Sequence, residues 1–197
     1  LNADSVGRFL TMGGEAAYLY GYEASEIIKE QECSSGNNML FFRDDAGHIK
    51  KPTATYWGAR LLAQEWLKPG DEPHEIYPAF SNVHNADGEE LITAYAVHRP
   101  DGPWALLLIN KDPKRAYSVS VVFSDTSQRK ASTFKGQIEL FQFSGVQYQL
   151  NSDPNNPFPI KAEPPAHNVI EKGESKAIEL PAYSLTVVRG TGPRASP

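Results

Sequence analysis

The feature that most constrains the fold is a short apolar run near the start of the chain. It reads Ala16-Ala17-Tyr18-Leu19-Tyr20-Gly21-Tyr22-Glu23 and becomes aromatic and polar toward its end. Short runs of this kind are typical of parallel strands that are buried on both faces. Because alternate side chains of a strand lie on one face, the three tyrosines share a face. The run therefore predicts a buried parallel strand from Ala16 to Tyr22 with polar and aromatic groups at its C-terminal end.

A helix is predicted on each side of this strand. Asp4 or Ser5 can cap the first helix, and Gly13-Gly14 can end it. The second helix has Pro52 at a favourable first position and ends at Pro69-Gly70. Helix, strand and helix in this order indicate an α/β arrangement. The apolar faces are formed by Val6, Phe9 and Leu10 in the first helix and by Trp57, Leu61, Leu62 and Trp66 in the second.

After Glu72 the sequence predicts strands and turns and no further helix. The segments 99–103 and 144–145 are hairpin signals between apolar runs. Residues 151–168 contain five prolines, so this stretch predicts a long surface loop. Several short strands separated by turns predict an antiparallel sandwich. The predicted strands are Leu91–Val97, Trp104–Ile109, Tyr117–Phe123, Ile138–Phe143, Val146–Leu150 and Tyr183–Val187.

Composition and charge exclude several classes of partner. The net charge is −5 at pH 7 and the 19 Lys and Arg residues are scattered, so we expect no nucleic-acid partner and no membrane surface. No apolar segment approaches the roughly 20 residues that cross a bilayer. Cys33 is the one cysteine, which excludes an internal disulfide. The five histidines lack metal-ligand spacing and the segment 44–47 is predicted as a turn, so no metal and no cofactor are predicted.

The first part of the chain resembles a known family of enzymes. Gly13-Gly14 followed by Tyr18–Glu23 resembles the last helix-strand step of clan A glycoside hydrolase barrels, in particular the family 39 type of β-xylosidases and related enzymes. Leu40–Gly47 followed by Lys51-Pro52 and Tyr56-Trp57 is similar to the segment that leads into their final barrel helix. The resemblance implies that this part comes from the end of a (β/α)8 barrel.

The second part of the chain resembles the domain that follows such barrels. Leu108-Ile109-Asn110-Lys111-Asp112 is similar to a strand end of their C-terminal β-sandwich, and Glu179–Val188 is similar to its closing strand. The resemblance covers most of residues 3–190. We therefore expect an α+β fold, in which a partial (β/α) barrel segment is followed by an all-β antiparallel sandwich. The expected domains are barrel units in residues 1–72, the sandwich in residues 73–190 and a disordered tail in residues 191–197.

The resemblance also implies a function. Enzymes of this type are retaining glycosidases whose two catalytic Glu carboxyls lie roughly 5 Å apart. Both Glu residues would lie upstream of Leu1, so the chain is not expected to hydrolyse O-glycosidic bonds by itself. The expected partners are a carbohydrate substrate and the missing N-terminal half of the barrel, which could be a second chain. The resemblance implies a secreted or periplasmic enzyme that acts on a polysaccharide or oligosaccharide.

The expected substrate contacts are Tyr20, Tyr22 and Glu23, at the C-terminal end of the strand. Aromatic rings present an apolar face to the C–H groups of a sugar, and their hydroxyls can form hydrogen bonds. Tyr18, further from the strand end, is expected to fill the barrel interior. If the strand is the seventh of the barrel and Met39–Phe42 the eighth, Glu23 is a candidate nucleophile. If the strand is the eighth, Glu23 is a contact at the rim.

The main alternative is a non-catalytic β-sandwich module that binds carbohydrate or a partner protein. In that interpretation residues 1–72 form a helical collar around the sandwich. The two interpretations differ in where Trp57 and Trp66 pack, since barrel material would place them against other barrel strands.

Overall fold

The computed structural model describes residues 2–18, 40–44, 46–125, 129–151, 158–171 and 177–193. The helices are α1 (Asn2–Thr11) and α2 (Ala54–Arg60), which continues as a π-helical segment, Leu61–Trp66. In chain order the strands are β1 (Phe41–Arg43), β2 (Ile49–Pro52), β3 (Glu75–Tyr77), β4 (Ile92–His98), β5 (Trp104–Asn110), β6 (Tyr117–Val119), β7 (Phe123–Asp125), β8 (Lys130–Ser132), β9 (Lys135–Phe143), β10 (Tyr148–Gln149), β11 (Lys161–Ala162), β12 (Ala166–Ile170), β13 (Ile178–Leu180) and β14 (Ser184–Thr191).

A six-stranded antiparallel sheet organises the fold. Its strand order is β12-β9-β14-β5-β4-β3. Every residue of β5 is buried, which agrees with the prediction of a central strand from an uninterrupted apolar run. The turn that joins β4 to β5 is also confirmed, since the backbone N–H of Arg99 donates to the Pro103 carbonyl at 3.0 Å.

The helices cover one face of this sheet. Trp57, Leu61 and Trp66 are buried in the same core as Val97, Leu107, Phe141 and Val187 of the sheet. The side chains of Val6 and Leu10 pack against this core from α1. The predicted apolar faces of both helices are therefore confirmed, except that Phe9 lies largely exposed.

Short strands cover the opposite face. β6 pairs with β13, and β7 pairs with β8, each pair being antiparallel. Their apolar side chains meet Trp104, Leu106 and Ile138 of the sheet in a second core. The sheet thus lies between a helical layer and a layer of two-stranded ribbons. The predicted buried face of Tyr117, Val119, Val121 and Phe123 is confirmed, since all four pack on this core. The prediction of one continuous strand is wrong, because residues 120–122 form no strand and β6 and β7 pair with different partners.

The second helix begins at Ala54, two residues later than Pro52 suggested. Thr53 is the N-cap, and its hydroxyl accepts a hydrogen bond from the Tyr56 N–H at 3.3 Å. Pro52 instead ends β2, where it lies opposite Phe41. The helix then widens into the π-helical segment, in which the Leu67 N–H donates to the Leu62 carbonyl five residues earlier.

Two further predictions in the second half of the chain are wrong: the hairpin at residues 144–145 and the loop at residues 151–168. Residues 146–150 do not return along β9, because β10 pairs with β11 around Tyr148 opposite Ala162. The proline-rich stretch 151–168 is not entirely loop, because its end forms β12 at an edge of the sheet. An edge position agrees with the prolines nearby, since proline cannot donate to a central ladder.

The α+β class and the antiparallel β-rich second part are confirmed. All strand pairs in the described residues are antiparallel. The last strand ends at Thr191, and the Trp104 indole N–H donates to the Pro193 carbonyl at 2.8 Å. Among the helices of the described part of the chain, none is long and apolar enough to span a membrane.

Candidate functional site

The predicted sugar contacts Tyr20, Tyr22 and Glu23 lie outside the described residues. The structure does describe the first three residues of the predicted strand, Ala16–Tyr18, and they form no strand. The Tyr18 side chain is 92% exposed in this chain, and its place in a barrel interior that includes the upstream half stays a prediction. We therefore describe the elements that come directly before and after residues 19–39 in the chain.

Two glycines end α1 just before this segment. The Gly13 N–H donates to the Leu10 carbonyl at 3.1 Å and the Gly14 N–H to the Phe9 carbonyl at 3.0 Å, which is the Schellman arrangement. Gly13 has φ 92°, a conformation that glycine adopts without strain. A Cβ at Gly14 would lie 2.3 Å from the Phe9 ring. Both glycines are therefore required for this helix end, as the sequence predicted.

A carboxylate attaches α1 to the sheet. Asp4 Oδ1 accepts hydrogen bonds from the Thr93 hydroxyl at 2.7 Å and the Tyr95 hydroxyl at 2.6 Å. Burial, and then the hydrogen bond to Asp4, raise the pKa of Tyr95 well above its usual value. The predicted capping role of Asp4 is wrong, because α1 begins at Asn2 and Asp4 lies in its first turn. Asp4 instead fixes the helix to β4.

The turn of the β1–β2 hairpin follows the segment. Asp44 Oδ1 accepts from the backbone N–H groups of Ala46 at 3.1 Å and His48 at 2.8 Å, and the Lys50 ammonium lies 2.9 Å from Oδ2. The Lys50 hydrogen bond and then the His48 N–H lower the pKa of Asp44 to about 2. The carboxylate is thus ionised at neutral pH and stabilises the turn that the sequence predicted.

A buried arginine connects the helical layer to the β4–β5 turn. The Arg99 guanidinium is 5% exposed and donates to the backbone carbonyls of Glu65 at 2.8 Å and Leu67 at 3.0 Å. It also binds both carboxylate oxygens of Asp101 at 2.9 Å, and this hydrogen bonding lowers the pKa of Asp101. Arg99 therefore satisfies carbonyls at the end of the π-helical segment, where the helix itself offers no donor.

A second arginine connects Glu65 of the same helical segment to the sheet. Arg189 of β14 pairs with Glu65 at 3.2 Å and with Glu139 of β9 at 2.7 Å. The Glu139 carboxylate also lies 3.1 Å from His167 Nε2, and the His167 ring stacks on Phe141 with centroids 4.3 Å apart. The two carboxylates share one guanidinium, so this group joins three elements of the fold.

The Asn110-Lys111-Asp112 motif has a structural role. The Asn110 side chain is 1% exposed, and its amide donates to the carbonyls of Arg115, Leu180 and Pro181. Asp112 accepts from the Tyr117 hydroxyl at 2.9 Å, and its carbonyl accepts from the Tyr183 N–H at 2.9 Å. The two sequence motifs of the second half therefore meet in space.

Two solved structures are similar to this chain. One is the catalytic domain of the GH30 xylanase C from Talaromyces cellulolyticus, with a TM-score of 0.46 and 12% identity over 81% of this chain and 28% of that one. The other is the GH51 arabinofuranosidase from Xanthomonas axonopodis pv. citri, with a TM-score of 0.44 and 17% identity over 78% of this chain and 29% of that one. The chain thus spans under a third of the length of either protein. No protein-family model and no curated protein matches it.

The described residues hold no group of three or more His, Cys, Asp or Glu side chains that could bind a metal ion. The hydrogen bonds and ion pairs of Asp4, Arg99 and Arg189 attach the helical layer to the sheet, so their role is structural. Sequence analysis missed the roles of Arg99 and Arg189. Asp101 is a local partner of Arg99, but the contacts of the two arginines with the end of the π-helical segment join residues that lie 32 to 124 positions apart, and no local signal identifies those contacts.

Proposed function

We propose that this chain is the C-terminal portion of a retaining glycoside hydrolase of the family 39 type. Residues 1–72 supply the last strand and helix units of a (β/α)8 barrel, residues 73–190 a bracing β-sandwich, and residues 191–197 a tail. The catalytic Glu pair comes from the barrel half upstream of Leu1, in the same polypeptide or in a second chain. The enzyme is secreted or periplasmic and cleaves O-glycosidic bonds of a polysaccharide or oligosaccharide.

The observation that supports this proposal is the attachment to the sheet of the elements that lie on either side of residues 19–39. Asp4 attaches α1 to β4, and Arg99 attaches the π-helical segment to the β4–β5 turn. The elements that precede and follow residues 19–39 are thus joined to one another through contacts with the sheet. Supporting contacts of this kind are what a substrate-binding segment requires for a fixed geometry.

In this proposal Tyr20, Tyr22 and Glu23 form one wall of the sugar cleft. The Tyr22 ring lies against the C–H face of a sugar, and its hydroxyl and the Glu23 carboxylate bind sugar hydroxyls. Glu23 is a substrate contact rather than a nucleophile, because in this proposal its strand is the eighth of the barrel and both catalytic carboxyl groups, about 5 Å apart, belong to the upstream half.

Titration calorimetry with xylotetraose and cellotetraose tests this wall. We expect the chain to bind at least one of them, and Tyr22→Ala to weaken the binding about tenfold, the upper end of what an aromatic contact contributes. Phe80→Ala is the matched control, since Phe80 is an exposed aromatic side chain outside the predicted site. Absence of binding to either sugar would overturn the sugar-wall assignment. Hydrolysis of aryl β-xylosides by the chain alone would overturn the upstream placement of the catalytic pair.

The non-catalytic module is a second candidate, favoured by the packing of Trp57 and Trp66 on the sheet. A measurement on the longer native protein separates the two. In the hydrolase proposal, Tyr22→Ala lowers kcat/KM for the glycoside. A separate binding module predicts weaker sugar binding with unchanged hydrolysis of a short soluble substrate.

A further inference from the structure

A second concave site lies between the β1–β2 hairpin and the segment 158–160. It is an open cleft of about 540 Å³, which is within the roughly 300–1,000 Å³ typical of sites for small molecules. The cleft is lined by Asp44, Lys50, Lys51, Asn151, Phe158, Pro159 and Ile160.

Contacts between the two walls connect the sides of the cleft. The Lys51 ammonium donates to the Pro159 carbonyl at 2.9 Å and so connects β2 to the opposite wall. The Phe158 ring packs edge-on against the buried Phe42, with centroids 6.1 Å apart. Both contacts lie within the protein and give the two walls a fixed separation.

The two walls differ in chemistry. Phe158, Pro159 and Ile160 form a continuous apolar wall, which is half-buried at Phe158 and open at Ile160. The hairpin supplies two ammonium groups and a carboxylate. An ammonium has three N–H donors, and the contact of Lys50 with Asp44 and that of Lys51 with Pro159 each use one. The remaining donors can bind the oxygen atoms of a ligand.

We infer that this cleft binds a neutral saccharide, with the apolar wall against the C–H face of a sugar ring and the Lys50 and Lys51 ammonium groups on its hydroxyls. The choice of a saccharide rests on the proposed function, whereas the cleft itself rests on its geometry. The Asp44 carboxylate offsets the charge of Lys50, which leaves one net positive charge among the lining side chains, on the Lys51 ammonium that already donates to the Pro159 carbonyl. The lining therefore offers no pair of uncompensated cations for a carboxylate or phosphate, and a neutral ligand is the occupant that we infer. The site would hold the chain of a substrate away from the point of cleavage.

Filling the cleft tests the inference without weakening the fold. Ile160→Trp adds bulk at a side chain that is 65% exposed, and Val146→Trp makes the same change at a 61% exposed position that does not line the cleft. We expect Ile160→Trp to weaken binding of xylotetraose or cellotetraose at least tenfold, and Val146→Trp to leave it unchanged. Phe158→Ala should weaken binding about tenfold, and circular dichroism checks that this variant folds.

Residue-resolved NMR distinguishes this site from the predicted rim. In ¹⁵N spectra of the whole chain, saturating xylotetraose should shift the amide signals of Lys50, Lys51 and Ile160, and Ile160→Trp should abolish these shifts. The inference is overturned if the three signals stay in place, or if tetragalacturonate binds the cleft more tightly than the neutral sugars. Loss of affinity in Tyr22→Ala with no effect of Ile160→Trp supports the proposed function and overturns the cleft. Loss of affinity in Ile160→Trp alone supports the cleft and overturns the rim contacts.

Discussion

The Asp4 carboxylate accepts a 2.6 Å hydrogen bond from the Tyr95 hydroxyl, and this contact joins the first helix to the sheet. The same oxygen accepts from Thr93, so one side chain of α1 satisfies two hydroxyls of β4. Hydrogen bonds to charged groups contribute more than neutral ones. The contact therefore has consequences for stability that can be measured.

Asp4→Ala should lower the free energy of unfolding by about 1–3 kcal/mol, because two hydroxyls lose a charged acceptor. Tyr95→Phe removes one partner and leaves Thr93 bonded, so its effect should be smaller. Urea unfolding of the wild type, Asp4→Ala and Tyr95→Phe provides the measurement. Asp71→Ala, at an exposed position of the loop after α2, is the control. Equal stability of Asp4→Ala and the control would show that this contact does not hold α1.

Gly7→Ala should destabilise the protein by about 1–3 kcal/mol despite the better helix propensity of alanine. A Cβ at Gly7 would lie 2.5 Å from the Tyr95 ring, so helix and strand would have to separate. Gly145→Ala is the matched control, because no heavy atom lies within 4 Å of the corresponding position. Thermal unfolding followed by circular dichroism compares the two. A more stable Gly7→Ala variant would contradict the close packing.

Arg99→Lys should destabilise the protein by about 2–3 kcal/mol, although the charge is kept. A lysine cannot reproduce the planar fork that binds Asp101 and two backbone carbonyls at once. The effect should be below that of a fully buried ion pair, because Asp101 is partly exposed. Lys114→Arg on the surface is the control for the exchange itself. Urea unfolding compares Arg99→Lys, Lys114→Arg and a third variant, Arg99→Met, which removes the charge. A loss of stability in Arg99→Met but not in Arg99→Lys would indicate that the fork geometry is unimportant.

Asn110→Asp should cost about 3 kcal/mol or more, because a carboxylate would face three carbonyl oxygens in place of an amide donor. Asn110→Leu, which removes the polar group, should cost less than the aspartate variant at pH 7. The difference should shrink at pH 4, where a buried carboxyl group takes up a proton more readily. An aspartate variant as stable as the wild type would overturn the structural role of the motif.

Stability should fall on acidification through His74. The His74 Nε2 accepts from the Lys68 N–H at 2.8 Å, and burial followed by the charge of Arg99 lowers the pKa of this imidazole. Its contribution is complete above the ordinary value of about 6.5 and is lost as the pH falls through the lowered pKa. Unfolding free energies of the wild type and His74→Gln at pH 7.5, 6.0 and 5.0 isolate the effect. The wild type should lose more stability than the variant, and parallel pH curves would exclude this role.

The candidate sites differ in how far sequence reasoning could identify them. Tyr20 and Tyr22 are predicted from strand parity and Glu23 from its place at the predicted strand end, and both are local properties of the chain. The cleft does not, because Lys51 and Pro159 meet across 108 residues of sequence. No pattern around either residue indicates the other.

The sequence by itself determined the elements whose pattern is local. The apolar run of β5, the turn after Arg99 and the glycines that end α1 all form as predicted, because burial period and backbone conformation are set by neighbouring residues. Only the tertiary structure decided which elements meet. It paired β10 with β11, placed β12 at the sheet edge and put Pro52 in a strand before the Thr53 cap. Pairing depends on contacts between distant segments, and the same local pattern is compatible with several partners until the whole core is assembled.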